Sequence, residues 1–386
     1  MKNKVYPGRS GRYIKQLQGY KAFIPEPLPP KEPELIIDDE LQACLSRADR
    51  SLGRLDGSIQ TLPDPNLFVF MYVRKEAVLS SQIEGTQSSL YHLLKREAEV
   101  LDPDTPHDVN EVINYVRAMN RGLDLLNELP VSIRLIKEIH EQLLTRVRGQ
   151  QQNPGHLRTS QNWIGSTDCT IRDAIYVPPP HDEMVRALSD WEKFLHENDN
   201  IPLLIKIGLA HAQFETIHPF LDGNGRVGRL LITFLLCEKQ VLLKPVLYLS
   251  IFFKRNRQEY YELLQGTRDN GDWESWIKFF IRGVDDVARQ ATQTARQIVE
   301  LRERHRSKIV QDFGQVAGNG LVVLEDLFTH PIISVNRIME LTGVSFAAAN
   351  TLRGRLEDAG VLVEITGKAR NRRFQYSDYV NLFASI

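Results

Sequence analysis

Cysteine is scarce in this chain: Cys44, Cys169 and Cys237 stand far apart in 386 residues. None belongs to a CxxC pair, which argues against a zinc site and for a reducing compartment. Neither sign of charge is in excess, with 48 Lys+Arg against 49 Asp+Glu, so no global basic field advertises nucleic acid. There is no apolar run of about 18 residues, as a membrane span needs. The opening stretch MKNKVYPGRSGRYIKQ lacks the apolar centre of a signal peptide. No Gly-Lys-Ser/Thr stands at P-loop spacing. A cytoplasmic chain without a membrane partner is expected, long enough for roughly two or three domains with cores.

What is present is concentrated in His218 to Arg229, HPFLDGNGRVGR. Upstream, Leu203, Ile207, Ala210 and Phe214 recur at helical spacing until about Ile217; downstream, Leu230, Leu231, Phe234 and Leu235 begin another helix. The stretch reads as a Gly-rich turn between two helices, whose amides can converge on an anion. Gly223, Gly225 and Gly228 also satisfy G-x-G-x-x-G, but that fingerprint needs a preceding strand and a βαβ unit. A helix precedes them, which argues against a dinucleotide site.

HPFxDGNGRxxR, with nine fixed positions, is identified as the signature of the Fic family, and this sequence matches it without departure. The resemblance implies a mainly α fold: a Fic-type helical bundle with a small β-hairpin flap. It implies transfer of AMP from ATP to a hydroxyl of a protein target, or of the chain itself, with release of pyrophosphate. His218 would be the general base, since an unperturbed imidazole titrates near neutrality. Asp222 would hold Mg²⁺, which takes few protein carboxylates. Asn224 and the glycines Gly223, Gly225 and Gly228 would line the phosphates, and Arg226 and Arg229 would grip their far end bidentately.

Further residues follow from the same resemblance. Ser80, Glu84 and Gly85 close a helix expected over 67–84, after a proline-rich turn at 62–65. A carboxylate is disfavoured at a helix C-terminus, so Glu84 calls for a cationic partner. SxxxEG resembles the family's inhibitory motif, which makes Arg229 that partner and places Glu84 at the nucleotide site. Trp163-Ile164 and Ala174–Val177 read as two short strands of a hairpin, comparable to the family's flap. Tyr260 and Tyr261 resemble its adenine-side wall, with Asn256 beside them; core packing of either tyrosine is the competing reading.

The chain divides, on these grounds, into an extended arm (1–36), a helical region with the inhibitory motif (37–110), a catalytic core (111–283), a linker helix (284–318) and a module resembling a winged helix-turn-helix (319–386). One helix is expected to end near Gly283 and a separate charged one to run from Val284 to about Phe313. In the last module Asn350, Arg353 and Arg355 lie on a third helix and Lys368, Arg370, Arg372 and Arg373 on the wing. Residues 321–386 carry seven basic and seven acidic side chains, which leaves DNA and protein both open as partners. A nucleotide-sensing DNA-binding regulator, or an enzyme removing AMP with Glu84 positioning water, are the alternatives to AMP transfer.

Overall fold

A computed structural model describes residues 5, 6, 8–60, 65–100, 104–166 and 168–384. The expected turn at 62–65 lies, apart from Pro65, outside the described residues. The chain opens with strands β1 (Gly11–Lys15) and β2 (Lys21–Pro25), followed by helices α1 (Asp39–Gln60), α2 (Asn66–Ile83), α3 (Leu90–Glu97), α4 (Val109–Leu125), α5 (Ile133–Leu144), α6 (His181–His196), α7 (Leu203–Ile217) and α8 (Asn224–Glu238). Then come α9 (Ser250–Arg255), α10 (Arg257–Asn270) and α11 (Trp273–Asp312). The C-terminal part holds α12 (Ala317–Asp326), β3 (Ile332–Ile333), α13 (Val335–Thr342), α14 (Phe346–Asp358), β4 (Val363–Glu364), β5 (Phe374–Gln375) and α15 (Ser377–Ala384). The protein is mainly α, as its periodicity predicts.

α7 and α8 form the centre. Nearly every residue of both is buried, polar side chains included, which marks helices enclosed by others on all faces. α4, α5, α6, α10 and α11 pack around them, and α1 lies along α11. α2 is wedged between α4 and α9, which brings its C-terminus to the start of α8.

Three elements differ from the sequence reading. The proline-rich arm contains an antiparallel hairpin, β1 against β2 with Tyr13 opposite Phe23. It is clamped by the bidentate Arg9–Glu274 pair at 2.8 and 2.9 Å and by Phe23 N–H donating to Val177 O. α11 runs unbroken through Gly283 for 40 residues. Gly283 is a packing glycine: a Cβ there would stand 2.6 Å from the Phe252 ring. The hairpin at 163–177 is reduced to one bridge, Ile164 with Tyr176, while the Tyr176 hydroxyl donates to Thr216 O and Val177 O accepts from Phe23 N–H.

Residues 317–384 form α12, α13 and α14 with a small antiparallel sheet in the order β3-β5-β4. They do not stand apart. Phe383 of α15 meets Tyr72 of α2 edge-on at 5.3 Å, and Arg355 donates to Phe313 O.

Candidate active site

α7 ends at Ile217, and His218 takes a left-handed conformation (φ 50°) as its C-cap. That backbone is uncommon for a side chain larger than glycine, and it is held from outside the motif. Arg158, itself buried, donates from Nε to His218 O at 2.9 Å and from its backbone N to Pro219 O at 2.9 Å. Gly223 (φ 79°) reverses the chain, and α8 starts at once with Asn224. The second half of the motif is therefore helix, and only its first half is turn. The first amides of α8 have no helical acceptor and point into the turn.

Asn224 spends both ends of its amide on Phe220, accepting from its N–H at 2.9 Å and donating to its O at 2.8 Å. Its side chain shapes the turn, and only its backbone N–H is left for a phosphate. Asp222 accepts the Gly223 N–H on Oδ1 (2.6 Å) and lies 3.5 Å from Arg226 Nη2. Its Oδ2 faces Gly149, where a Cβ would stand only 2.6 Å away. Among the described residues no three His, Cys, Asp or Glu side chains converge as a metal cage. One partly exposed carboxylate with an unengaged oxygen suits Mg²⁺, which completes its shell with phosphate oxygens and water.

The two guanidiniums are buried and already engaged. Arg226 donates to Glu111 Oε2 at 3.3 Å. Arg229 donates from Nε to Ser80 Oγ (2.7 Å) and from Nη2 to Ser80 O (3.0 Å) and Glu84 Oε1 (2.7 Å). Glu84 is the C-cap of α2, and Gly225 leaves the space its carboxylate fills, since a Cβ there would lie 2.3 Å from Oε1. Burial opposes ionisation of Glu84, yet the Arg229 charge and hydrogen bond hold its carboxyl below the usual range. Gly85 follows at φ 97° with open space around it.

Enclosure first, then the charges of Arg158 and Arg268, push the His218 imidazole down to about 3. It is neutral at physiological pH, and a hydrogen bond to the Glu215 backbone only partly offsets the downward shift. Tyr260 and Tyr261 separate. Tyr260 is buried in the aromatic core beside Phe253 and Trp276, its hydroxyl 3.0 Å from His211 Nε2. Tyr261 keeps an exposed face. His211 Nδ1 lies 2.9 Å from Gly228 O; a carbonyl only accepts, so Nδ1 carries the proton and Nε2 takes the Tyr260 hydroxyl. Asn256 caps α9 by donating to Phe252 O, a local role.

Sequence reasoning missed five residues that meet the motif: Glu111, His140, Arg158, Asn162 and Glu215. Each sits in an otherwise regular helix or loop and carries no local spacing signal. Glu215, three residues before His218, is driven up to about 7 by burial, with Arg229 opposing and Glu84 adding to the shift.

A helical bundle with an HPFxDGNGRxxR turn between two enclosed helices gathers a carboxylate, an imidazole and two buried guanidiniums at one helix N-terminus. The profile for the Fic/DOC family N-terminal region matches residues 42–124, and the Fic/DOC family profile matches residues 130–236. The chain belongs to the Fic/DOC family. It is similar to the protein adenylyltransferase Fic of Drosophila persimilis, 25% identical over 235 residues, which cover 55% of this chain and 43% of that one. A protein of Aquifex aeolicus described as a probable protein adenylyltransferase is 30% identical over 211 residues, covering 52% and 57%. The chain thus spans about half the length of these relatives. A Fic family protein from Desulfovibrio desulfuricans G20 shares the fold, with a TM-score of 0.60 at 20% identity over 89% of this chain and 97% of that one.

Proposed function

We propose that this protein is an adenylyltransferase that moves AMP from ATP to a hydroxyl side chain of a protein, and that Glu84 restrains it. The observation that carries the reading is Arg229, buried beside the motif turn and occupied by Ser80 and Glu84.

The free amides at the start of α8 face the phosphates, and Arg229 would grip their far end. The neutral His218 accepts the proton of the incoming hydroxyl, whose oxygen attacks the α-phosphorus while the bond to pyrophosphate breaks. A bound triphosphate raises the basicity of His218, because nearby negative charge favours the imidazolium. Mg²⁺ at Asp222 would supply neutralisation of phosphate charge. Glu84 on Arg229 leaves the γ-phosphate without its guanidinium, so the α-phosphorus sits out of line, and a misplacement of about 1 Å can cost roughly 10²-fold.

Labelled ATP offered to the purified protein and a cell lysate tests this. Glu84→Gly is expected to raise labelling at least about tenfold, a barrier change of about 1.4 kcal/mol. His218→Ala should abolish it, and Arg229→Ala, alone or combined with Glu84→Gly, should not imitate the activation because the phosphate grip is gone. Glu84→Gly labelling equal to the parent at saturating ATP and Mg²⁺ sinks the restraint. A fall, with loss of AMP from a modified protein, favours the AMP-removing reading instead.

A second activity rests on residues 317–384, read as a winged helix. Arg370, Arg372 and Arg373 make no ion pair among the described residues and line a cavity of about 410 Å³ with Phe346 and Asn350. This favours a phosphate-bearing partner such as DNA at the wing. Arg353 and Arg355 are spent internally, on Glu357 and Asn350 and on Phe313 O, so the third helix would present Phe346, Asn350 and Thr351 instead.

A further inference from the structure

His140 stands on α5, outside the motif, yet it meets the motif turn in two ways. Its ring lies flat on Phe220, centroids 3.8 Å apart and planes 9° apart. Its Nε2 is 3.0 Å from Asp222 O. The tautomer is fixed on the other side of the ring, where Nδ1 accepts the Gly155 N–H at 2.9 Å. An accepting Nδ1 carries no proton, so Nε2 carries it and donates to Asp222 O. The ring is fully buried, and burying an imidazole is costly unless both nitrogens are satisfied. Both are, and both serve backbone that no helix holds.

We propose that His140 is the positioning residue that sets the Asp222 carboxylate, by fastening the Asp222 backbone to the loop at the base of the flap. The proposal rests on the assignment of Asp222 to Mg²⁺ above. Asp222 lies between left-handed His218 and left-handed Gly223, and the first hydrogen bond of α8 is accepted one residue later, by Gly223 O. The Asp222 carbonyl is therefore outside the helix, and His140 is the donor that holds it. Asn224 does the equivalent for Phe220 from inside the motif. The same flap-base loop carries Arg158, which holds His218 O. One loop thereby fixes the base side of the site directly and the metal side through His140.

The test uses the full chain in the Glu84→Gly background with two substitutions. His140→Phe keeps the volume and the stack on Phe220 but removes both hydrogen bonds. His140→Gln keeps a donor for Asp222 O and an acceptor for Gly155 N–H. Two readouts need no turnover: amide exchange over 219–225 in metal-free, nucleotide-free protein, and calorimetric Mg²⁺ affinity with a non-hydrolysable ATP analogue. The third is the Mg²⁺ concentration for half-maximal labelling. His140→Phe is expected to speed the exchange and weaken Mg²⁺ at least about tenfold, the usual cost of losing a group that orients a metal ligand. Labelling at saturating Mg²⁺ should return to within about twofold of the background, and His140→Gln should restore all three readouts. Unchanged exchange and Mg²⁺ affinity in His140→Phe overturns the proposal. So does a loss at saturating Mg²⁺ that His140→Gln fails to rescue, which means packing alone. If Glu84→Gly labels nothing, the transfer reading fails, and the first two readouts still decide the role of His140.

Discussion

Around Arg229 the side chains compete for one guanidinium. Ser80 and Glu84 hold it, while Glu215 lies buried nearby with its Oε1 unpartnered. The two carboxylates respond to pH in opposite senses. Glu84 lies below the ordinary carboxylate value, so its contact with Arg229 persists through the neutral range and is lost only as acid protonates it. Glu215 rises from 4.5 to about 7, chiefly through burial. Between those values the folded state keeps a proton that the unfolded chain has released, so stability falls as pH rises and levels off above about 7. His140, His211 and His218, lowered by burial from 6.5 to about 4, 3 and 3, slope the other way up to 6.5, across most of the same window. The readout is therefore the difference between parent and Glu215→Gln in urea unfolding. Glu215→Gln should remove a decline on the order of 3 kcal/mol across that window. Parallel pH curves for the two proteins would show that Glu215 stays ionised and finds a partner.

At the scale of elements, α11 shows how a glycine is misread. Glycine inside a helix costs about 1 kcal/mol against alanine, so Gly283 is a natural place to end one. The structure keeps it because the Phe252 ring packs directly on its backbone. Gly283→Ala gains the propensity term but pushes on that ring, and overpacking typically costs about 1–3 kcal/mol, so the second effect wins. A lower thermal midpoint is expected. Gly57→Ala on α1 serves as the control, since nothing lies within 4 Å of its added Cβ, and its midpoint should rise. A rise for Gly283→Ala as well would mean that Phe252 yields freely.

For the whole molecule, the C-terminal part is tied to the helix that carries Glu84. Phe383 packs on Tyr72 of α2, and Tyr376 lies 2.9 Å from His305 Nδ1 on α11. Tests of nucleic-acid binding therefore belong on the full chain. Replacing Arg370, Arg372 and Arg373 together by Glu should abolish retention of duplex DNA and flatten its salt dependence, which falls with log salt by about 0.9 per phosphate neutralised. No retention by the parent at low salt reassigns the wing to a protein partner.

The sequence by itself determined the mainly helical fold, the motif turn and the family, because periodicity and a contiguous signature are local properties. The spacing of Ser80, Glu84 and Gly85 was legible too, since a carboxylate at a helix C-terminus is electrostatically out of place. The resemblance had already implied Arg229 as the partner of Glu84; tertiary structure alone decided most of the other partnerships. It showed Tyr260 in the core, the Asn224 amide consumed by Phe220, the arm folded into β1 and β2, and α11 unbroken. It also brought Arg158, His140 and Glu111 to the turn from 60 or more residues away. Long-range contacts leave no spacing in a single chain: His140 reads as one more buried position of an amphipathic helix until Asp222 O is seen beside it.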